Sequence, residues 1–224
     1  MKNLISLSIL LLCAFALSTH AAVVYSQPYN THDNIDAVYT SDANNVYIIV
    51  DDFILDRDYL ITDVHWWGVY LYSAVLPEDD FTIDFLPYNS GPALPPLASY
   101  DVLQVDRTDT GDVWTDPHSG AQFTIYRYSY DLPSPLPLVG GTPYCISIYN
   151  NTPFGEWALS YADSLAGDIW YHSSPANTDF QPSRPDSAFE LTANNGALIP
   201  EPLTCLLFGG SVLLGLGRLR RRMC

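Results

Sequence analysis

From Val46 to Thr192 apolar and polar residues alternate with a period near two, in short runs cut by turn residues. The clearest run is Gln122-Phe123-Thr124-Ile125-Tyr126-Arg127-Tyr128. As a strand it places Phe123, Ile125 and Arg127 on one face and Thr124, Tyr126 and Tyr128 on the other. The same pattern predicts strands over Val46–Val50, Leu60–His65 continuing through Tyr72, Phe81–Phe85 and Gln122–Tyr130. Further strands are predicted over Tyr144–Tyr149, Trp157–Tyr161, Ile169–His172 and Ala188–Thr192. Asn89-Ser90-Gly91-Pro92, Thr110-Gly111-Asp112 and Gly140-Gly141-Thr142-Pro143 read as turns. No long window holds a helical period. With Pro-rich crossings at Pro92–Pro96 and Pro133–Pro137, this predicts an all-β, two-sheet β-sandwich of jelly-roll type, one domain over residues 23–193.

Two longer apolar runs break the pattern, one at each end. Lys2, the apolar stretch Leu4–Leu17 and the small residues Ser18, Thr19, Ala21 and Ala22 have the order of a secretory signal. Residues 1–22 are therefore expected to be a removable leader helix, with cleavage after Ala21 or Ala22. At the other end, a spacer over residues 194–199 leads to Pro200-Glu201-Pro202, an apolar run Leu203–Gly217, and Arg218, Arg220, Arg221 and Arg222. As a helix the apolar run reaches about 22 Å, short of a bilayer core of about 30 Å unless Leu219 and snorkelling arginines extend it. The arginines predict a cytoplasmic end and leave the large domain outside. Both ends thus predict one topology: an exported body flanked by a signal helix and a C-terminal transmembrane helix.

The last 25 residues resemble the PEP-CTERM sorting signal of Gram-negative bacteria in all three parts, in order and spacing. The resemblance implies processing by an exosortase at or near Pro200-Glu201-Pro202. It also implies passage through the secretion machinery, a transient inner-membrane stage, and delivery to a cell surface or biofilm rich in exopolysaccharide. The two prolines keep the motif out of a helix and so extended for a processing enzyme. Several stretches of the body resemble an uncharacterised ectodomain often carried by PEP-CTERM proteins. They are Asp51-Asp52-Phe53, Val64-His65-Trp66-Trp67-Gly68, Tyr144–Asn151 with Trp157, and Ala188-Phe189-Glu190-Leu191. That resemblance implies an exported β-sandwich and brings no activity or site residues.

Charge narrows the partners. Between Ala22 and Ile199 four arginines face 24 acidic residues, a net charge of −20. Such a body repels phosphate backbones, so nucleic acid is not an expected partner. Only Glu78, Glu156 and Glu190 of those acids are glutamate; aspartate favours turns, which fits the absence of helices. Cys145 is the only cysteine between the two end segments and reads as a small buried hydrophobe.

Candidate sites compete with plainer readings. Trp66 and Trp67 must point to opposite faces of a strand. An exposed one beside Tyr70 or Tyr72 would stack on a sugar ring, whereas the plainer reading buries one in the core and covers the other with a loop. Asp106, Asp109 and Asp112 are the best local set for a structural Ca2+, but Arg107 sits among them and their spacing is not that of an EF-hand; solvated turns are the simpler account. No other cofactor is expected. No zinc-protease spacing, nucleophile elbow or phosphate loop is present. The sequence therefore reads as a non-enzymatic surface or matrix protein. A carbohydrate-binding module ranks second and a secreted hydrolase third.

Overall fold

A computed structural model of the chain describes residues 21–29, 38–44, 47–73, 76–153, 156–162, 169–172, 180–183 and 186–194. Residues 1–20, the spacer beyond Asn194, Pro200-Glu201-Pro202 and the arginine cluster lie outside them. The described residues are all-β, with thirteen strands and no helix. In chain order these are β1 (Ala21–Gln27), β2 (Val38–Thr40), β3 (Ile48–Ile54), β4 (Tyr59–Leu71), β5 (Phe81–Pro87), β6 (Ala98–Val102) and β7 (Asp106–Thr115). There follow β8 (Gln122–Leu138), β9 (Pro143–Asn150), β10 (Glu156–Ser160), β11 (Ile169–His172), β12 (Gln181–Ser183) and β13 (Phe189–Asn194).

The strands form two antiparallel sheets around one core, an arrangement compatible with a β-sandwich. The first is built on the long β4. One edge of β4 pairs with β8, which pairs in turn with β7. The other edge pairs with β13 along Ile61–Trp66 and with β10 along Gly68–Leu71. β1 then flanks β13 and β2 flanks β10. The second sheet runs β12-β11-β3-β9-β5-β6. The first strand pairs with the last, with Ala21 opposite Asn194, so the two ends of the described body lie side by side.

Alternation along β4 builds the core, with one interruption. Val64, Trp66 and Tyr70 point inward with Phe53, Phe81, Phe85, Tyr128 and Trp157. Tyr59 and Ile61 join the same core although their numbers are odd, because register shifts between Ile61 and Asp63 against β8. A bulge of this kind flips the side-chain parity beyond it. Trp66 stacks on Tyr128 at 5.4 Å and meets Phe81 edge-on. Gly68 makes room for Trp157: a Cβ there would stand 2.3 Å from Trp157 Cζ2.

Both sheets also carry buried side chains on their outer faces. Trp67, Val69, Leu71, Ile125, Ala158 and Ala188 cluster on the first. Val50, Leu86, Cys145 and Trp170 cluster on the second, where Cys145 is buried as the sequence implied. Double-sided burial explains why Tyr144–Asn150 reads as a nearly unbroken buried run. A buried carboxylate ties the sheets together. Asp51 on β3 accepts from the backbone N and Oγ of Ser187, both at 2.7 Å, and from Asp52 N at 2.9 Å. Burial pushes the Asp51 carboxyl well above its usual range, the Ser187 donors oppose the shift, and the neighbouring Asp186 and Asp52 carboxylates add to it.

Candidate functional site

The candidate aromatic platform around Trp66 and Trp67 is not presented to solvent. Trp66 is 0 % exposed in the inter-sheet core, Trp67 is 6 % exposed and Tyr70 is 4 % exposed. Trp67 is covered by Tyr29, which stacks on it at 5.4 Å, and by the Arg127 guanidinium at 5.7 Å, rather than by a Pro-rich loop. One Trp does fill the core, as the plainer reading held. Tyr70 turns inward to donate from its hydroxyl to Asp79 Oδ1 at 2.9 Å.

The candidate Ca2+ set lies on a strand and its bulge, not on a turn between strands. Asp106 opens β7 opposite Ser129, and the register slips between Asp109 and Val113. Gly111 takes a positive φ of 83° there, a conformation that suits glycine. Asp109 Oδ1 accepts from Gly111 N at 2.8 Å, and Asp112 Oδ2 accepts from Tyr29 Oη at 2.6 Å. Among the described residues, no group of three acidic, His or Cys side chains is arranged to hold a metal ion. Arg107, the residue that spoiled the pattern, has a different task.

That task places it in a surface cleft. Between β6 and β7 the chain crosses from one sheet to the other through Leu103-Gln104-Val105, opposite the segment Leu76–Asp80. Two joined hollows open there, of about 750 Å3 and about 660 Å3, sharing Glu78, Asp79 and Leu103. An ion pair lines the larger one, where Arg107 Nη1 donates to Asp79 Oδ1 at 2.9 Å, and Asp79 borders both. The guanidinium also lies 5.4 Å from the Tyr126 ring centroid. Burial raises the Asp79 carboxyl above its usual range, and the Arg107 charge and the Tyr70 hydroxyl oppose that shift. Segment 78–80 is fastened by Thr152 Oγ1 donating to the Glu78 carbonyl at 2.8 Å and by Asn151 Nδ2 donating to Asp80 Oδ1 at 3.2 Å.

The two hollows differ in chemistry. Glu78, Asp106 and Asp131 put three exposed carboxylates around the larger one, while Arg107 is already matched by Asp79. Leu76, Pro77, Leu103 and Pro153 give the smaller one apolar walls. Leu103 is 70 % and Leu76 44 % exposed, large apolar side chains left on the surface. Asp131 stands opposite Asp63 in the β4–β8 ladder. The hydrogen bond between the two carboxyls raises Asp131 and helps hold Asp63 low, so the pair retains one proton more readily than two separate acids. Nothing in the sequence pattern singled out this cleft. Its residues come from four separate stretches, of which Asp106–Arg107 and Glu78-Asp79-Asp80 stand out in the sequence only as acidic clusters that could ligate a cation.

No protein-family model matches the chain, and no curated protein matches it significantly.

Proposed function

We propose that the chain is an exported, non-enzymatic cell-surface or extracellular-matrix protein, sorted and cleaved by an exosortase and associated with exopolysaccharide. The observation that carries this reading is the tail itself: Pro200-Glu201-Pro202, fifteen apolar residues and an arginine cluster, opposite a leader of secretory pattern. In this reading the body is a jelly-roll-like β-sandwich between a signal helix and a transmembrane helix. The pairing of Ala21 with Asn194 supports it, since a leader and a tail leaving from neighbouring points can enter the same membrane without stretching the body. The net charge of −20 supports a body facing solvent and held off anionic lipid.

The test is replacement of Pro200, Glu201 and Pro202 by alanine in the native host, followed by intact-mass analysis of each cell fraction. The expected product is a full-length tail retained in the inner membrane, whereas the parent chain ends near Pro200 outside it. Normal maturation of the alanine variant would refute the sorting role. An inner-membrane protein whose parent form still ends at Cys224 would reduce it to a tail-anchored ectodomain.

A further inference from the structure

The double hollow between segment 76–80 and the Leu103–Arg107 crossing has an apolar half, an acidic half and a fixed ion pair. We propose that it docks an extended segment of a partner protein in which a basic side chain neighbours an apolar one. The proposal concerns the body alone and does not depend on how the chain is sorted.

Charge complementarity selects the occupant. Among the described residues that line the cleft Arg107 is the one cation, and it is paired with Asp79 at 2.9 Å, which leaves Glu78, Asp106 and the Asp131 carboxyl shared with Asp63 facing any guest. An anionic ligand would meet three carboxylates without a free countercharge, whereas a lysine or arginine would find them at the mouth of the hollow. The apolar half selects further. A small cation alone would leave Leu76 and Leu103 in water, but a peptide with alternating side chains can set one apolar group between Leu103 and Pro153 and the next, basic group beside Asp106. The cleft is also held in shape before anything binds. Tyr70 and Arg107 fix Asp79, and Asn151 and Thr152 fix segment 78–80, so little ordering cost falls on the host. Exposed ion pairs are individually weak, so affinity should rest on both halves acting together.

The experiment uses the protein recovered from its host and a fluorescein-labelled hexapeptide of alternating Lys and Leu, read by anisotropy. Alternating Glu-Leu and alternating Lys-Ser hexapeptides serve as controls. The Lys-Leu peptide should bind, and neither control should approach it. Each of Glu78→Gln, Asp106→Asn and Asp131→Asn should weaken binding about three- to fivefold. Leu103→Ser should weaken it about tenfold at unchanged melting temperature. A body of this charge attracts cations everywhere, so the decisive comparison is with Asp56→Asn, Asp101→Asn and Asp109→Asn, exposed acids outside the cleft. Equal loss from the two sets would overturn the proposal, as would binding that ignores Leu103. A glucosamine hexamer that binds with the same dependence on Glu78, Asp106 and Asp131 and displaces the peptide would replace the peptide occupant with an amino-sugar chain. None of these outcomes bears on cleavage at Pro200-Glu201-Pro202, so failure here and failure of the sorting role are read separately.

Discussion

Gly68→Ala tests the packing of β4 against β10 most sharply. Gly68 faces the core between Trp66 and Tyr70, and the added methyl would lie 2.3 Å from Trp157 Cζ2, 2.7 Å from Trp157 Cε2 and 2.7 Å from the Ala158 carbonyl oxygen. Trp157 is fully buried and wedged against Phe81 and Tyr128 at 5.0 and 6.1 Å, so the indole has no free direction in which to retreat. Ala158 O belongs to the ladder itself, because Ala158 pairs with Val69 on one side and Thr40 on the other. Overpacking a filled core costs about 1–3 kcal/mol, and a clash with two immobile groups belongs at the top of that range. Alanine returns about 0.5–1 kcal/mol through the lower chain entropy it brings to a strand. The expected net loss is about 2 kcal/mol, a fall in Tm of roughly 4–8 °C for a body of this size. Thermal unfolding followed by tryptophan fluorescence reads it directly. A double cycle with Trp157→Phe sharpens the test: trimming the indole removes the atom that collides, so the double variant should be more stable than the sum of the two single losses. A Gly68→Ala protein that melts with the parent, or strict additivity in the cycle, would refute this account of the glycine.

Two further substitutions probe the buried acids. Asp51 has a raised pKa in the folded chain, so the folded state binds the extra proton. Its favourable contribution is complete below about pH 4, the unfolded value, and is lost as pH rises through the folded value. Asp51→Asn should therefore show a shallower fall in urea stability between pH 4 and 8 than the parent; parallel pH profiles would contradict the assignment. Arg107→Ala strips the partner from Asp79 and should cost about 2–3 kcal/mol at pH 7. It should cost less at pH 4, where Asp79, already raised by burial, takes up a proton; equal losses at the two pH values would show that Arg107 acts by packing alone.

How much of this was readable in advance follows from the range of each interaction. Period-two alternation is local, and it located β3, β4, β5, β9, β10, β11 and β13 within a few residues. It found the start of β8 but not its end: Pro133–Pro137, expected to be a crossing between strands, continues β8 to Leu138, with Leu136, Pro137 and Leu138 opposite Ile61, Leu60 and Tyr59 on β4. It missed β2 and β12, which are three residues long, and β6 and β7, because exposed edge-side strands such as Asp106–Thr115 need no apolar alternation and look like solvated turns. β1 was hidden by its position. Ala21 and Ala22 belong by composition to the end of a leader, Val23-Val24 is too short a run to read as a strand, and only β13, 160 residues and more downstream, gives the segment a strand to pair with.

The tail motif, the leader pattern, the all-β class and the acidity were set by the sequence alone, since each depends on residue order or on totals rather than on contacts. The fates of individual side chains were decided by the tertiary structure. Adjacent positions guaranteed that Trp66 and Trp67 point to opposite faces, but only the Tyr29 ring and Arg127, brought in from β1's end and from β8, buried the outer one. Likewise Arg107 looked like a flaw in a calcium loop until the crossing between the sheets set it against Asp79, 28 residues earlier. The cleft has no signature in the sequence for the same reason: Leu76–Asp80, Leu103–Arg107, Ser129–Asp131 and Thr152–Pro153 become neighbours only when two sheets close over one core. Burial and charge pairing are properties of that closure, and local pattern does not encode which distant segment supplies them.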